Sequence, residues 1–209
     1  KHLGTNGPLT NQYLKNMSSE LYDESSDSKH DVLLTENAGI VKAYEAVTEY
    51  CGFSFIEAGK TMGLFPYGKA NDKCPKIFRD DTLWPIPDRQ LIVPTYPNGA
   101  VVNKGRFTEL RDPADINEKT DLTKLKSRRD MAYAIQTESE QMVLDLIRKA
   151  VDMSGNKNVV LSGGYGLNCV ANYWYLEQLK DEGINLFVEP VSNDAGTAIG
   201  AAYLQYQRV

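Results

Sequence analysis

The sequence has few cysteines and histidines, and this shortage excludes several classes of site. Its three cysteines, Cys51, Cys74 and Cys169, are odd in number and far apart, which is typical of neither a disulfide framework nor a zinc site. The two histidines, His2 and His30, are also far apart, so they do not form the paired ligands of a helical metal site. Because no disulfide framework is indicated, we expect a cytoplasmic protein.

Long apolar runs are also missing, and so is an excess of positive charge. No stretch approaches the roughly 20 apolar residues that a membrane-spanning helix needs, and the N-terminal residues 1–8 lack the apolar core of a signal peptide. The net charge of −5 argues against a nucleic-acid backbone as the main partner. Hydrophobic residues make up 42% of the chain, which is enough to bury a core, so we expect a soluble globular protein.

Residues 158–202 carry the strongest pattern in the chain. A short β-branched run is followed by two adjacent glycines, which predicts a buried strand that ends in a tight turn. Gly183 stands where the next helix would end, and a second apolar run follows it. The predicted elements, in order, are a strand over 159–161, a glycine turn over 163–166, a helix over 167–180, a strand over 184–189, a polar cap over 192–194 and a helix over 195–206. This alternation is typical of parallel α/β structure.

Two turns follow the two predicted strands, and parallel strands bring such turns to the same edge of a sheet. Open α/β sheets bind ligands at that edge. Backbone N–H groups at a glycine-rich helix N-terminus bind phosphate, and a carboxylate beside them would hold the metal ion of a nucleotide. Alternatively, the glycines only make tight turns and Asp194 only caps a helix. The candidate ligand-binding residues of the two turns are Gly163, Gly164, Gly166, Asn168, Asp194 and Gly196.

A second glycine-rich segment lies upstream, after a helix predicted over 36–51. Residues 59–61 read Gly-Lys-Thr, as in a P-loop, but the first glycine of that motif would fall at Ser54, so the match fails. The segment is either a packed glycine and proline loop with a solvated lysine, or a second glycine wall of a nucleotide site. In the second case Lys60 would lie near a phosphate as the candidate catalytic residue, and Gly63 would contact the cofactor.

The rest of the chain suggests how the domain is organised. Residues 1–31 are polar and are expected to form an irregular, partly disordered arm, while 32–209 are expected to form a single lobe. Six prolines interrupt 70–127, which predicts an insertion or subdomain containing a small hairpin around an Asn-Gly turn. A long amphipathic helix is predicted over 127–153, with a capping box that begins at Ser127.

Three sequence blocks occur in the same order as in a known enzyme family. The first is Tyr-Glu-Ala-Val-Thr-Glu-Tyr-Cys-Gly-Phe over 44–53, with Gly-Lys-Thr-Met-Gly-Leu-Phe-Pro-Tyr-Gly over 59–68. The second is Leu-Ser-Gly-Gly-Tyr-Gly-Leu-Asn-Cys over 161–169, followed by Asn172. The third is Pro-Val-Ser-Asn-Asp-Ala-Gly-Thr-Ala-Ile-Gly-Ala-Ala over 190–202. Together these blocks span most of the chain and resemble the NodU-type O-carbamoyltransferases.

That resemblance implies a nucleotide-binding domain of the actin, Hsp70 and sugar-kinase ATPase superfold. This chain would form one α/β, RNase H-like lobe of it, with the proline-rich insertion. The resemblance also implies that Gly163, Gly164 and Asn168 contact ATP and that Asp194 binds a divalent metal, iron or magnesium, on the phosphates. In the implied reaction, carbamoyl phosphate and ATP give a carbamoyl-adenylate, and the carbamoyl group then passes to a hydroxyl of a small-molecule acceptor. Protein groups would mainly position the phosphates and neutralise charge.

Several parts of that family have no counterpart in this sequence, namely a metal-binding His-x-x-x-His pair, a first lobe and a separate C-terminal domain. We therefore expect the isolated chain to be an inactive part of an enzyme. Its apolar face would self-associate or bind a partner chain. One alternative is a non-catalytic nucleotide-binding or assembly module. A second, a fragment of the related threonylcarbamoyl-adenosine tRNA-modification enzyme, fits the acidic charge less well. A third, a sugar kinase, would need an acceptor-activating aspartate that this sequence does not show.

Overall fold

The computed structural model of the chain describes residues 2–5, 32–35, 39–81, 85–95, 99–193 and 195–207. Its strands are β1 (His2–Thr5), β2 (Val32–Thr35), β3 (Ile92–Thr95), β4 (Gly99–Val102), β5 (Asn158–Leu161) and β6 (Asn185–Val188). Its α-helices are α1 (Ile40–Tyr50), α2 (Ala58–Leu64), α3 (Lys126–Ser154), α4 (Cys169–Leu179) and α5 (Gly196–Gln207). The chain divides into a first unit, Lys1–Glu138, and a second unit, Ser139–Val209. This mixed α/β content agrees with the α/β class expected from the sequence, and the RNase H-like lobe of the actin superfold stays a prediction.

The core of the first unit is built around α1. Ala43, Tyr44 and Val47 of this helix are among its most enclosed side chains. The Tyr44 hydroxyl donates a 2.6 Å hydrogen bond to Oε1 of Gln136, which ties α1 to the first half of α3. After the helix, Gly52 has a φ of 95°, a left-handed conformation that favours glycine and ends the helix. The helix predicted over 36–51 is confirmed for residues 40–50.

A small hairpin packs on α1 within the proline-rich insertion. Strands β3 and β4 pair antiparallel, with Ile92 opposite Val102, and β4 lies against α1. The two predicted strands of the insertion are therefore confirmed. The Asn-Gly turn between them falls at 96–98 and the start of β4, and residues 96–98 lie outside the described residues.

The N-terminus of α3 differs from the prediction. It begins at Lys126, so Ser127 already lies inside the helix, and the prediction that Ser127 is its N-cap is wrong. Asp130, the predicted partner in the capping box, is instead buried against the loop that follows α2. Its carboxylate accepts hydrogen bonds from the backbone N–H of Lys69 (3.3 Å) and from Nδ2 of Asn71 (2.7 Å), and it pairs with Lys126. Hydrogen bonds to Lys69 and Asn71, far away in the sequence, therefore replace the predicted capping box between Asp130 and Ser127.

The carboxyl group of Glu138, near the middle of α3, has a raised pKa. Its Oε2 accepts hydrogen bonds from the backbone N–H groups of Ile77 (2.9 Å) and Phe78 (3.1 Å). Burial raises the pKa of the Glu138 carboxyl, and these two N–H donors only partly offset that effect. The folded protein therefore holds the proton of Glu138 more tightly than the unfolded chain does.

This difference predicts a pH dependence of stability. A glutamate in an unfolded chain has a pKa of about 4.3, so the free energy of unfolding should fall as the pH rises from about 4.3 to the raised pKa of folded Glu138. In Glu138→Gln the amide oxygen still accepts both hydrogen bonds, but the side chain no longer titrates. The slope of the free energy of unfolding against pH should therefore lose the contribution of residue 138. Urea unfolding of both proteins across that pH range measures the difference. Identical slopes would contradict the prediction.

The second unit contains a parallel strand pair joined by a helix. β5 and β6 pair in parallel, with Val160 opposite Phe187, which confirms both predicted strands and their direction. Helix α4 connects them, and Gly183, with a φ of 66°, ends the helical segment as predicted. The prediction that the first strand is buried is wrong, because one face of the pair is open to solvent, with Val160 66% and Phe187 55% exposed. Helix α5 follows and has no buried residue among those described.

The N-terminal strand was not predicted. β1 and β2 pair in parallel, with His2 opposite Val32. β1 falls within the polar arm predicted over 1–31, and the remainder of that arm lies outside the described residues. The boundaries of the arm and the single lobe over 32–209 stay predictions. Across the described ranges, no helix is both long enough and apolar enough to cross a membrane.

Candidate functional site

The glycine turn after β5 exposes bare backbone. Gly163 has a φ of 98°, which an L-residue with a side chain rarely adopts, and a 3-10 turn follows over Gly164–Leu167. The N–H of Gly166 donates to the Gly163 carbonyl at 2.8 Å and closes this turn. A Cβ added at Gly163 or Gly164 would meet nothing within 4 Å. The backbone at both positions is therefore accessible to a ligand.

The turn after β6 lies beside the glycine turn. A Cβ added at Gly166 would come within 3.0 Å of the Ser192 hydroxyl, so the two turns are in close contact. A Cβ at Gly196 would lie 2.5 Å from the Val191 carbonyl oxygen, which requires glycine at this point. Oδ1 of Asn193 accepts a 3.0 Å hydrogen bond from the Ala195 N–H at the start of α5. The prediction that both turns meet at one sheet edge is confirmed.

The two turns enclose a cleft of about 550 Å³ within the second unit. Its polar part includes Ser162, Gly163, Gly164, Asn193, Gly196 and Thr197. Ile199 and Tyr203 form an apolar wall, and both also line an apolar groove along α5. The backbone N–H groups at the N-terminal end of α5 carry partial positive charge. This cleft therefore combines N–H donors suited to phosphate with an apolar wall suited to a ring system.

Two of the predicted ligand-binding residues lie behind the surface of the cleft. Gly166 is buried against Ser192. Asn168 is 4% exposed, and its Oδ1 caps α4 by accepting a 3.1 Å hydrogen bond from the Ala171 N–H. Ligand contacts by these two residues stay predictions, as do those of Gly163, Gly164 and Gly196.

Among the described residues, one carboxylate, that of Glu189, lines the cleft. Asp194, the predicted metal ligand, lies outside the described residues. Glu189 lines the cleft at the end of β6, and the sequence analysis missed it, although it is the last residue of the predicted strand. Among the residues that the structure describes, no group of three or more histidine, cysteine or acidic side chains is placed to hold a metal ion.

Lys60 and Gly63, the predicted residues of the upstream segment, belong to the first unit. Nζ of Lys60 forms a 2.5 Å ion pair with Oε1 of Glu57 and lies 5.7 Å from the ring centroid of Phe53. The hydrogen bond from Lys60 lowers the pKa of the Glu57 carboxyl. The Lys60 side chain is 57% exposed, and a Cβ added at Gly63 would meet nothing within 4 Å. Both residues are accessible, and their roles at a nucleotide stay predictions.

The sequence as a whole matches one family model, described as the carbamoyltransferase N-terminus, over residues 12–203. The chain belongs to this family. The resemblance to the NodU-type O-carbamoyltransferases drawn from three motifs is thereby confirmed. The match covers most of each unit and both turns of the cleft.

Relatives from three bacteria show similarity over most of this carbamoyltransferase N-terminal segment. An uncharacterized protein of Synechocystis sp., sll1178, is 33% identical over 178 residues, which cover 79% of this chain and 28% of the relative. Nodulation protein NolNO of Sinorhizobium fredii is 28% identical over 77% of this chain and 22% of its own length. Nodulation protein NolO of Bradyrhizobium diazoefficiens is 27% identical over 77% of this chain and 27% of its own length. The chain therefore spans less than a third of each of these relatives.

Proposed function

We propose that the chain is the part of an ATP-dependent O-carbamoyltransferase that holds the nucleotide. The cleft between the glycine turn and the turn before α5 carries this proposal, because it presents bare backbone beside a helix N-terminus in a chain of this family. The whole enzyme would transfer a carbamoyl group from carbamoyl phosphate, through a carbamoyl-adenylate, to a hydroxyl of a small molecule. The lobe would be of the actin and Hsp70 type, and the isolated chain would be inactive.

The residues of the cleft have distinct roles in this proposal. The N–H groups of Gly163 and Gly164 would bind the nucleotide, where a side chain would block its approach. Glu189 in the cleft and Asp194 would supply oxygen ligands to a divalent cation, iron or magnesium. That cation would neutralise phosphate charge while it is bound.

Titration of ATP into the purified chain by calorimetry, with and without Mg²⁺, tests the proposal. We expect binding that depends on the cation and that weakens by about tenfold or more in Asp194→Ala and in Glu189→Ala. Asp181→Ala is the matched control, because Asp181 is exposed in the same unit and does not line the cleft. Absence of ATP binding by the wild-type chain, or equal affinity in all four proteins, would contradict the proposed roles.

A second candidate function, an assembly module that needs a partner chain, is favoured by the exposed apolar residues of the second unit. Val160 and Phe187 form an exposed cross-strand pair, and α5 carries exposed Tyr203, Leu204 and Tyr206. A helix of this length is only marginally stable in water without packing. Light scattering on the purified chain should then give a mass above that of one chain. Phe187→Lys should restore the monomer, while Val101→Lys, a substitution of an exposed apolar residue in the first unit, should not.

A further inference from the structure

Tyr165 links the glycine turn to two helices of the second unit. It stands between Gly164 and Gly166, and its hydroxyl donates a 2.8 Å hydrogen bond to Oγ of Ser139 on α3. The same hydroxyl lies 3.4 Å from the hydroxyl of Tyr175 on α4. Ser139 and Tyr175 are both completely buried. One side chain of the turn is therefore anchored in the interior, while the neighbouring backbone faces the cleft.

The two glycines of the turn that line the cleft, Gly163 and Gly164, have no side chain that could anchor it. Gly163 and Gly164 meet open space where a Cβ would stand. Glycine loses more conformational entropy on ordering than any other residue, so such a turn is costly to fix. Beyond the turn, Nδ2 of Asn172 donates a 2.7 Å hydrogen bond to the Gly166 carbonyl, which fixes the far end. Tyr165 supplies the anchor next to the exposed glycines.

The hydroxyl groups of this anchor remain protonated at neutral pH. Burial raises the pKa of Tyr165 to about 12, and burial also raises the pKa of Tyr175. The hydrogen bond from Tyr165 to Ser139 is therefore available throughout the range in which the protein would bind a nucleotide.

We propose that Tyr165 is a positioning residue of the cleft, which holds the backbone of Gly163 and Gly164 in the geometry that receives a ligand. This inference rests on the proposed function for the identity of the ligand, ATP. A turn that is fixed before binding spares the ligand the entropy cost of ordering it. Tyr165 itself touches no substrate in this role, because its hydroxyl is directed to α3 and α4.

Hydrogen–deuterium exchange and calorimetry on the full chain test the inference. In Tyr165→Phe the ring remains and the hydrogen bond is lost, so the hydrogen-bonded amides of Gly166 and Asn168, which close the turn, should exchange about five- to tenfold faster, while amides elsewhere in α3 and α4 keep their rates. The affinity for Mg²⁺ and ATP should fall by about the same factor. Ser139→Ala should reproduce both effects, and the double variant should add little to either single one. Tyr173→Phe is the matched control, because Tyr173 lies on α4 and is largely exposed.

Each outcome of these measurements decides between the two proposals. Unchanged exchange at Gly166 and Asn168 in Tyr165→Phe would overturn the positioning role, whatever the chain binds. Exchange that rises equally throughout α3 and α4 would also overturn it, because the hydroxyl would then stabilise the whole unit. Faster exchange confined to the turn would support the positioning role. If the wild-type chain then failed to bind ATP, that result would contradict the proposed function, while the positioning role of Tyr165 would remain supported.

Discussion

Replacing Asp112 with Ala is expected to lower the free energy of unfolding by about 3 kcal/mol, because a buried arginine would lose its charge partner. Arg128 is only 2% exposed, and its Nη2 pairs with the carboxylate of Asp112. Its Nε and Nη1 have no hydrogen-bond partner among the described residues. The face of the guanidinium lies on Tyr50, with 3.7 Å between Cζ and the ring centroid. Lys104 also pairs with Asp112, but its half-exposed ammonium would stay solvated after the substitution, so the cost falls on Arg128.

Urea unfolding followed by far-UV circular dichroism measures this loss. Asp115→Ala is the matched control, because Asp115 is an exposed aspartate in the same loop, and its effect should stay within about 0.5 kcal/mol. Adding Arg128→Met to Asp112→Ala should recover much of the stability, since it removes the uncompensated buried charge. If Asp112→Ala and Asp115→Ala lost equal stability, the ion pair would not be what stabilises Arg128.

The local features of the second unit could be predicted from sequence because each depends on neighbouring residues. The apolar run of β5, the glycines that follow it and the left-handed Gly183 specify a strand, a turn and a helix end with no distant information. The parallel pairing then follows from the intervening helix, and it brings the two turns together. The cleft between them was thus largely predictable, although the family supplied the identity of its ligand.

Contacts between distant residues could not be predicted in the same way. Asp130 had a plausible local partner in a capping box, yet its carboxylate binds the loop at Lys69 and Asn71. Tyr165 meets Ser139, 26 positions away in the sequence, and no local pattern marks that pair. Such choices depend on which elements pack together, so tertiary contacts override local propensity. Tyr165 thus supports the glycine turn, and Asp130 supports the loop after α2, by contacts with residues far away in the sequence.

Two of the three glycines of the upstream segment, Gly68 and Gly63, should respond in opposite directions to substitution by alanine. Gly68 has φ −93° and ψ 179°, an extended conformation open to any residue, so Gly68→Ala would carry no backbone strain. Its new Cβ would, however, overlap the Arg129 carbonyl oxygen and lie 2.9 Å from Cβ of Tyr133, both on α3. Atoms of a packed helix cannot move away cheaply, so we expect a loss of about 1–3 kcal/mol in the free energy of unfolding.

Gly63→Ala is the matched substitution with the opposite expected sign. Gly63 lies inside α2, and its new Cβ would meet nothing within 4 Å. Alanine is a better helix former than glycine, so stability should rise by about 0.5–1 kcal/mol. Urea unfolding of both variants checks the two signs, and a loss in both would contradict the open space at Gly63. Gly63 is also a predicted cofactor contact, so weaker ATP binding by a stabilised Gly63→Ala would support that contact, and unchanged binding would contradict it.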